Sequence, residues 1–228
     1  MSTPLIFKIH MNKLFKIAAL AYTLIVGFTS CDKDEAPVDQ EYQARVMVKD
    51  GETKKLADVS VSINTEGTIS RHGAVYSLRN FRQFIIGEDG AVTENVAPQF
   101  YFNFKENDGV SAEDAMLTLN ATQRNMDVVS NTSRGYTLSY IDKAFESVTA
   151  ADNFTAAPDN KVGIVTPFSP EGTIGWSNYD MSVHHILPIA NRTLIVSKDG
   201  ALLFKFRINS IYSNETPNKE SASDNYAY

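Results

Sequence analysis

Histidine is scarce in this chain, with four among 228 residues, and two of the four stand side by side in WSNYDMSVHHILP, residues 176 to 188. Met181 precedes the first of the pair by three positions. Two imidazoles beside a thioether offer lone pairs with which a ligand could be held, and the same residues also fit an ordinary strand. In a regular strand Met181 and His185 would share a face and His184 would point the other way, a constraint that a loop removes. The rest of the chain is poor in reactive constellations. It has no Gly-rich phosphate loop, no HExxH and no serine in an elbow motif, so no catalytic site is expected. Its carboxylates are scattered as on a solvated surface.

The single cysteine, Cys31, excludes a disulfide framework. It follows NKLFK, the apolar run IAALAYTLIVGF and the small residues of FTSC, the order of an export signal that is removed. The apolar run is shorter than the roughly 20 residues needed to cross a bilayer. MSTPLIFKIH precedes this pattern, which makes Met11 an alternative start. FTSC resembles a bacterial lipobox, whose cysteine is acylated and becomes the new N-terminus, and two or three acyl chains anchor stably. DKDE after it resembles the acidic signal by which Bacteroidetes-type lipoproteins reach the cell surface. The expected location is therefore the outer membrane, held by lipid at Cys31.

Loss of residues 1–30 would remove three lysines and no acid, so the balance of 21 minus 27 becomes 18 minus 27. A chain that acidic, with no basic stripe, is not expected to bind nucleic acid. The charged stretch 31–41, which contains Pro37, reads as a tether, and 214–228 reads as a polar tail. Between them, residues 42–213 read as one domain.

The period inside that domain is two. ALLFKFRINSIY sets Leu202, Phe204, Phe206, Ile208 and Tyr212 on one face, with Lys205, Arg207 and Asn209 on the other. RTLIVS before it and the Lys198-Asp199-Gly200 turn predict a hairpin. Further strands are expected near 42–49, 57–64, 74–86, 100–104 and 161–166, with turns at Asp50-Gly51, Asp89-Gly90 and Asp108-Gly109. Only 139–147 and 112–119 have a claim to helix. The expected fold is all-β and antiparallel.

GWSNYDMSVHHILPIANRTLIVSKDGALLFKFRINSIY, residues 175 to 212, resembles the C-terminal segment of HmuY-like haem-binding lipoproteins. The matching positions are Trp176, Tyr179, Arg192, Thr193, Asp199, Gly200, Ser210 and Tyr212. YFNFKENDGVSAEDAMLTLNATQRNMDVVSN resembles an earlier segment of that family, although the family's Trp-Asp pair is replaced around Asp114-Ala115-Met116. The resemblance implies an HmuY-like β fold whose loops at one end close on haem. It also implies capture of haem or a related porphyrin without catalysis, and delivery to a TonB-dependent outer-membrane receptor. Iron would be held by two axial side chains, His or Met.

One axial ligand would come from Met181, His184 or His185. The other is expected from the middle of the chain, yet no histidine or methionine lies between Met126 and Met181. Met126 is the preferred candidate, with Met116, Tyr136 and Tyr140 as alternatives. A single protein ligand is a further possibility that the residues leave open, as is a lipid-anchored β module that recognises a surface protein or glycan and binds no haem.

Overall fold

The computed structural model describes residues 44–120 and 126–212, together with the backbone of 9–12. Sixteen strands follow in order. The first eight are β1 (Ile9–Asn12), β2 (Thr53–Lys55), β3 (Thr65–His72), β4 (Val75–Ile86), β5 (Val92–Val96), β6 (Gln99–Asn103), β7 (Asp108–Gly109) and β8 (Leu117–Asn120). The others are β9 (Val128–Ser130), β10 (Tyr136–Asp142), β11 (Thr155–Ala156), β12 (Lys161–Val165), β13 (Gly175–Asp180), β14 (His185–Pro188), β15 (Arg192–Lys198) and β16 (Ala201–Phe206). Helix is confined to the four residues of α1 (Leu56–Val59) and three single 3-10 turns among the described residues.

The strands form two sheets. The first runs β11-β10-β15-β16-β1-β4-β3-β2, with β5 also paired to β4, and the second runs β14-β13-β12-β9-β8-β6-β7. All pairs are antiparallel except β12 with β13. The fold is all-β, as the period of two predicts.

An aromatic ladder joins the sheets. Phe81 of β4 meets Phe100 and Phe102 of β6 edge-on at 6.0 and 5.3 Å, Phe102 meets Phe104 at 5.3 Å, and Phe104 stacks on Phe204 of β16 at 5.2 Å. Edge-to-face and offset contacts of this kind suit the ring quadrupole, and each adds about 0.5–1.5 kcal/mol beyond the area buried.

The long strand β4 changes phase within itself. Tyr76 and Leu78 are buried before Asn80, and Phe81 and Gln83 after it. Asn80 adopts a left-handed conformation with φ 54°, and the pairing register shifts opposite it between Glu66 and Thr68. This bulge swaps which face the next residues present, so both halves of the strand meet the core. Gly67, at φ 123°, makes room for it: a Cβ there would lie 2.5 Å from the carbonyl oxygens of Arg79 and Asn80.

Several expectations are met closely. The 192–206 hairpin forms, with Asp199 and Gly200 both at positive φ, and 74–86, 100–104 and 161–166 are strands within a residue or two. Others need correction. Residues 44–49 are not assigned as a strand, although burial alternates at Val46 and Val48. Segment 57–64 forms part of α1 and a loop, because Asp108 accepts hydrogen bonds from Ser60 Oγ, Val61 N and Ser62 N and bends the chain around its carboxylate. Asp108-Gly109 is consequently a buried strand and no turn, and the positive φ falls on Asn107. Segment 139–147 is mostly strand β10, with one 3-10 turn at Phe145–Ser147. Lys205, expected on a solvated face, is buried under the 143–152 segment. The segments 13–41 and 214–228, with the lipidation candidate Cys31, lie outside the described residues.

Candidate functional site

The residues that opened the sequence analysis sit at the end of the β13–β14 hairpin. Asp180 pairs with His185, and the four residues 181–184 close the loop. Asp180 Oδ1 accepts from Ser182 N at 2.8 Å and from Ser182 Oγ at 2.6 Å, so one carboxylate fixes the first half of the turn. Those two hydrogen bonds stabilise the ionised form and hold the Asp180 pKa below its ordinary value. His184 completes the turn at φ 55°, a left-handed conformation that is uncommon away from glycine.

The tip is open to solvent. Met181 is 46% exposed and Val183 49%, and His184 is exposed as well. The Tyr179 hydroxyl lies 2.9 Å from His184 Nδ1. Either atom can donate; in the tautomer with the proton on Nδ1, that nitrogen donates to the tyrosine oxygen and Nε2 keeps its lone pair. Metal-bound histidines are oriented by this kind of contact at the other ring nitrogen. His185 is half-buried, with its ring 5.9 Å from that of Tyr212.

The hairpin is fixed to the frame at its root. Trp176 Nε1 donates to the Met126 carbonyl at 2.8 Å, and Ile186 N donates to the Tyr212 hydroxyl at 2.7 Å. Arg192 grips both oxygens of Asp142 through Nε and Nη2, and its Nη1 donates to the Gly175 carbonyl. Thr193 Oγ1 donates to the Lys143 carbonyl, and Ser210 Oγ accepts from Tyr212 N. Of the eight positions that carry the HmuY-like resemblance, Trp176, Thr193, Ser210 and Tyr212 are buried, Tyr179 and Arg192 are half-buried, and Asp199 and Gly200 lie exposed in the β15–β16 turn.

The candidates for a second iron ligand are not brought to that tip. Met126 is 1% exposed in the central core, where its backbone carbonyl and not its sulfur serves the hairpin, and Met116 is fully buried. These thioethers lie in the core because each flanks a strand of the second sheet and packs inward. Tyr136 and Tyr140 are half-buried on β10, under Lys198 Nζ at 5.1 Å and the Arg192 guanidinium at 4.5 Å. Among the described residues, cavities of about 180, 380 and 460 Å³ lie elsewhere, and Met126, Met181, His184 and His185 do not line these. At the tip, His184 is exposed together with Met181 and Val183.

Among the described residues there is no cluster of three or more His, Cys, Asp or Glu side chains that could cage a metal ion. No helix among them is long and apolar enough to cross a membrane. No family model matches the chain, and no curated protein or solved structure matches it significantly.

Sequence reasoning missed Tyr179 as the partner of His184. A four-residue hairpin loop after Tyr179-Asp180 brings the two rings within reach, but the loop length could not be read without the strand boundaries. Asp108 was likewise missed as an organising carboxylate, because Asp-Gly is so strong a turn signal.

Proposed function

We propose that this chain is a lipid-anchored outer-membrane protein that captures haem, or a related porphyrin, at the β13–β14 hairpin tip and performs no chemistry on it. The supporting observation is the 2.9 Å contact between the Tyr179 hydroxyl and His184 Nδ1, which orients an exposed imidazole and, with the proton on Nδ1, leaves Nε2 to bind iron. When bound, haem would supply a Lewis-acidic iron and a large apolar face. Met181 and Val183 would cover part of that face, at roughly 25 cal/mol per Å² removed from water. An open site with one protein ligand leaves the other haem face accessible, which suits transfer to a TonB-dependent receptor.

Titration of the protein with haemin tests this reading. The expected result is a saturable Soret change with a broad, high-spin visible spectrum, abolished in His184→Ala. Absence of a saturable change, or a change that persists in His184→Ala, overturns it.

A second reading is a β module that recognises another surface molecule through apolar contact. Val61, Ile63 and Ile86 are 56%, 75% and 42% exposed and line the same cavity of about 380 Å³. Clustered apolar exposure of this kind often marks a contact surface. Val61→Ser with Ile63→Ser should then abolish binding to cell-surface material and leave haemin titration unchanged.

A further inference from the structure

The chain between β14 and β15, the residues that follow β16 and the Phe145 side chain line a cavity of about 180 Å³, and no residue of the hairpin tip borders it. Arg192 and Arg207 both line this cavity, and no carboxylate residue does. Positive charge is thus gathered in one place within a chain whose formal net charge is −6.

The two guanidinium groups differ in what they already hold. Arg192 gives Nε and Nη2 to Asp142 and Nη1 to the Gly175 carbonyl. Arg207 makes no hydrogen bond among the described residues. Its Nη2 lies 3.5 Å from Oε1 of Glu146, a side chain that is 67% exposed, and its Nε is shielded from water with no acceptor. An N–H on a charged group that has lost water and found no partner is costly, so an acceptor that reaches it is favoured. The Nε and Nη2 hydrogens of a guanidinium form a fork that matches the two oxygens of a carboxylate. Arg192 and Asp142 make that pairing in this same molecule.

The remaining walls restrict what the carboxylate can be attached to. Phe145 and Ile208 line the cavity and are buried, apolar side chains. A doubly charged anion with four oxygens would lose hydration against such walls without replacement, whereas a carboxylate can turn its oxygens to Arg207 and its hydrocarbon to Phe145 and Ile208. The volume is below the roughly 300–1,000 Å³ of pockets for drug-sized molecules, so that hydrocarbon is a short chain or one ring.

We propose that this cavity binds a small free monocarboxylic acid, with its carboxylate on the Nε–Nη2 fork of Arg207, its hydrocarbon against Phe145 and Ile208, and Arg192 adding positive field. The site is separate from the hairpin tip and independent of the haem reading.

Fluorine NMR of para-fluorobenzoate added to the full chain in detergent tests it, because only the ligand signal is read. The expected result is saturable broadening that excess butyrate reverses and the same concentration of inorganic phosphate does not. Arg207→Gln should weaken binding by about tenfold or more, the scale of hydrogen bonds to a charged group, and Arg207→Lys should not restore it, since an ammonium lacks the fork. The melting temperature of Arg207→Gln should stay near that of the wild type, because Arg207 makes no hydrogen bond among the described residues. Glu146→Gln removes a competing carboxylate from Nη2 and should tighten binding by about twofold to fivefold. The proposal is overturned by an absence of saturable broadening, by equal binding in the wild type and Arg207→Gln, or by unchanged binding in Glu146→Gln. Displacement by phosphate as effective as that by butyrate overturns it too, since the site would then hold any small anion.

Discussion

Tyr179 and His184 meet across the end of a hairpin, hydroxyl to Nδ1 at 2.9 Å, although five positions separate them in sequence. The contact is between side chains at the surface, so it does little for the fold. Its effect is on the direction of the imidazole. Tyr179→Phe should leave the melting temperature within a degree or two and weaken haemin binding by about threefold to tenfold. That is less than the loss from His184→Ala and within the range of a single neutral hydrogen bond. Parallel thermal melts and haemin titrations of the two variants measure the difference.

Trp176 is the chain's one tryptophan and stands at the root of the same hairpin. Five residue steps of about 3.4 Å put the tip within roughly 20 Å of its indole. Haemin bound at the tip should therefore quench the intrinsic fluorescence in a saturable way, with the same midpoint as the Soret change. Quenching that remains linear in haemin would indicate collisional contact only.

Lys205 donates from Nζ to the carbonyls of Phe145 and Val148, both at 2.7 Å, and lies 4.7 Å from the Phe145 ring centroid. Removing the donor orphans the Val148 carbonyl, at about 1–3 kcal/mol for a group left buried, and leaves the Phe145 carbonyl with only the 3.4 Å hydrogen bond from Val148 N. Lys205→Met should lower stability by about 1–3 kcal/mol in urea unfolding, even though its apolar stem is retained.

Desolvation holds the Lys205 pKa below its ordinary value, against the pull of Glu146 and Asp152. Between that lowered value and the unfolded value, the unfolded chain binds more protons than the native one. The contribution of this group to stability accordingly rises as pH increases through that window. Comparing the alkaline limb of the stability curve with that of Lys205→Met isolates it, because the variant lacks this rise.

Asp108 is fully buried, and desolvation raises its pKa even though Ser60, Gly109, Ser62 and Val61 donate to it. An acid with a raised folded pKa binds protons more readily in the native state than in the unfolded one. Between the unfolded value and the raised value, its contribution to stability therefore falls as pH rises. Asp108→Asn removes that pH dependence and turns an amide N–H toward donors on one side. A loss of about 1–3 kcal/mol at neutral pH is expected, with a flatter denaturation midpoint across mildly acidic pH.

Gly67→Ala places a methyl against two backbone oxygens that belong to the bulge of β4. Backbone cannot swing aside as a side chain can, so a loss of about 2–4 kcal/mol is expected, read as a lower denaturation midpoint.

What the sequence made legible was local. The Asp199-Gly200 turn and the runs on either side of it determine one another over fifteen residues, and the hairpin forms as written. The alternation through 202–212 likewise placed Phe204, Phe206, Ile208 and Tyr212 in the core. The misreadings all have distant causes. Alternation through Val59, Val61 and Ile63 imitates a strand, but Asp108, nearly fifty positions away, captures the backbone at 60–62. Lys205 is polar and falls on the outer phase of its strand, yet Phe145 and Val148 cover it from sixty positions upstream. At the candidate site, the tip residues were visible as types. Their exposure, and the enclosure of Met126 in the core, depend on how two sheets close over one another, which no short window contains.

The order of strands also constrains when this molecule can finish folding. The chain crosses between the two sheets four times, and its last two strands, β15 and β16, lie inside the first sheet and not at its margin. Early strands such as β3 and β4 can pair as soon as they emerge, but the seam down the middle stays open until the final fifth of the polypeptide arrives. A vectorial, start-to-finish assembly is thereby blocked. The chain remains threadable through a narrow conduit until nearly all of it has passed.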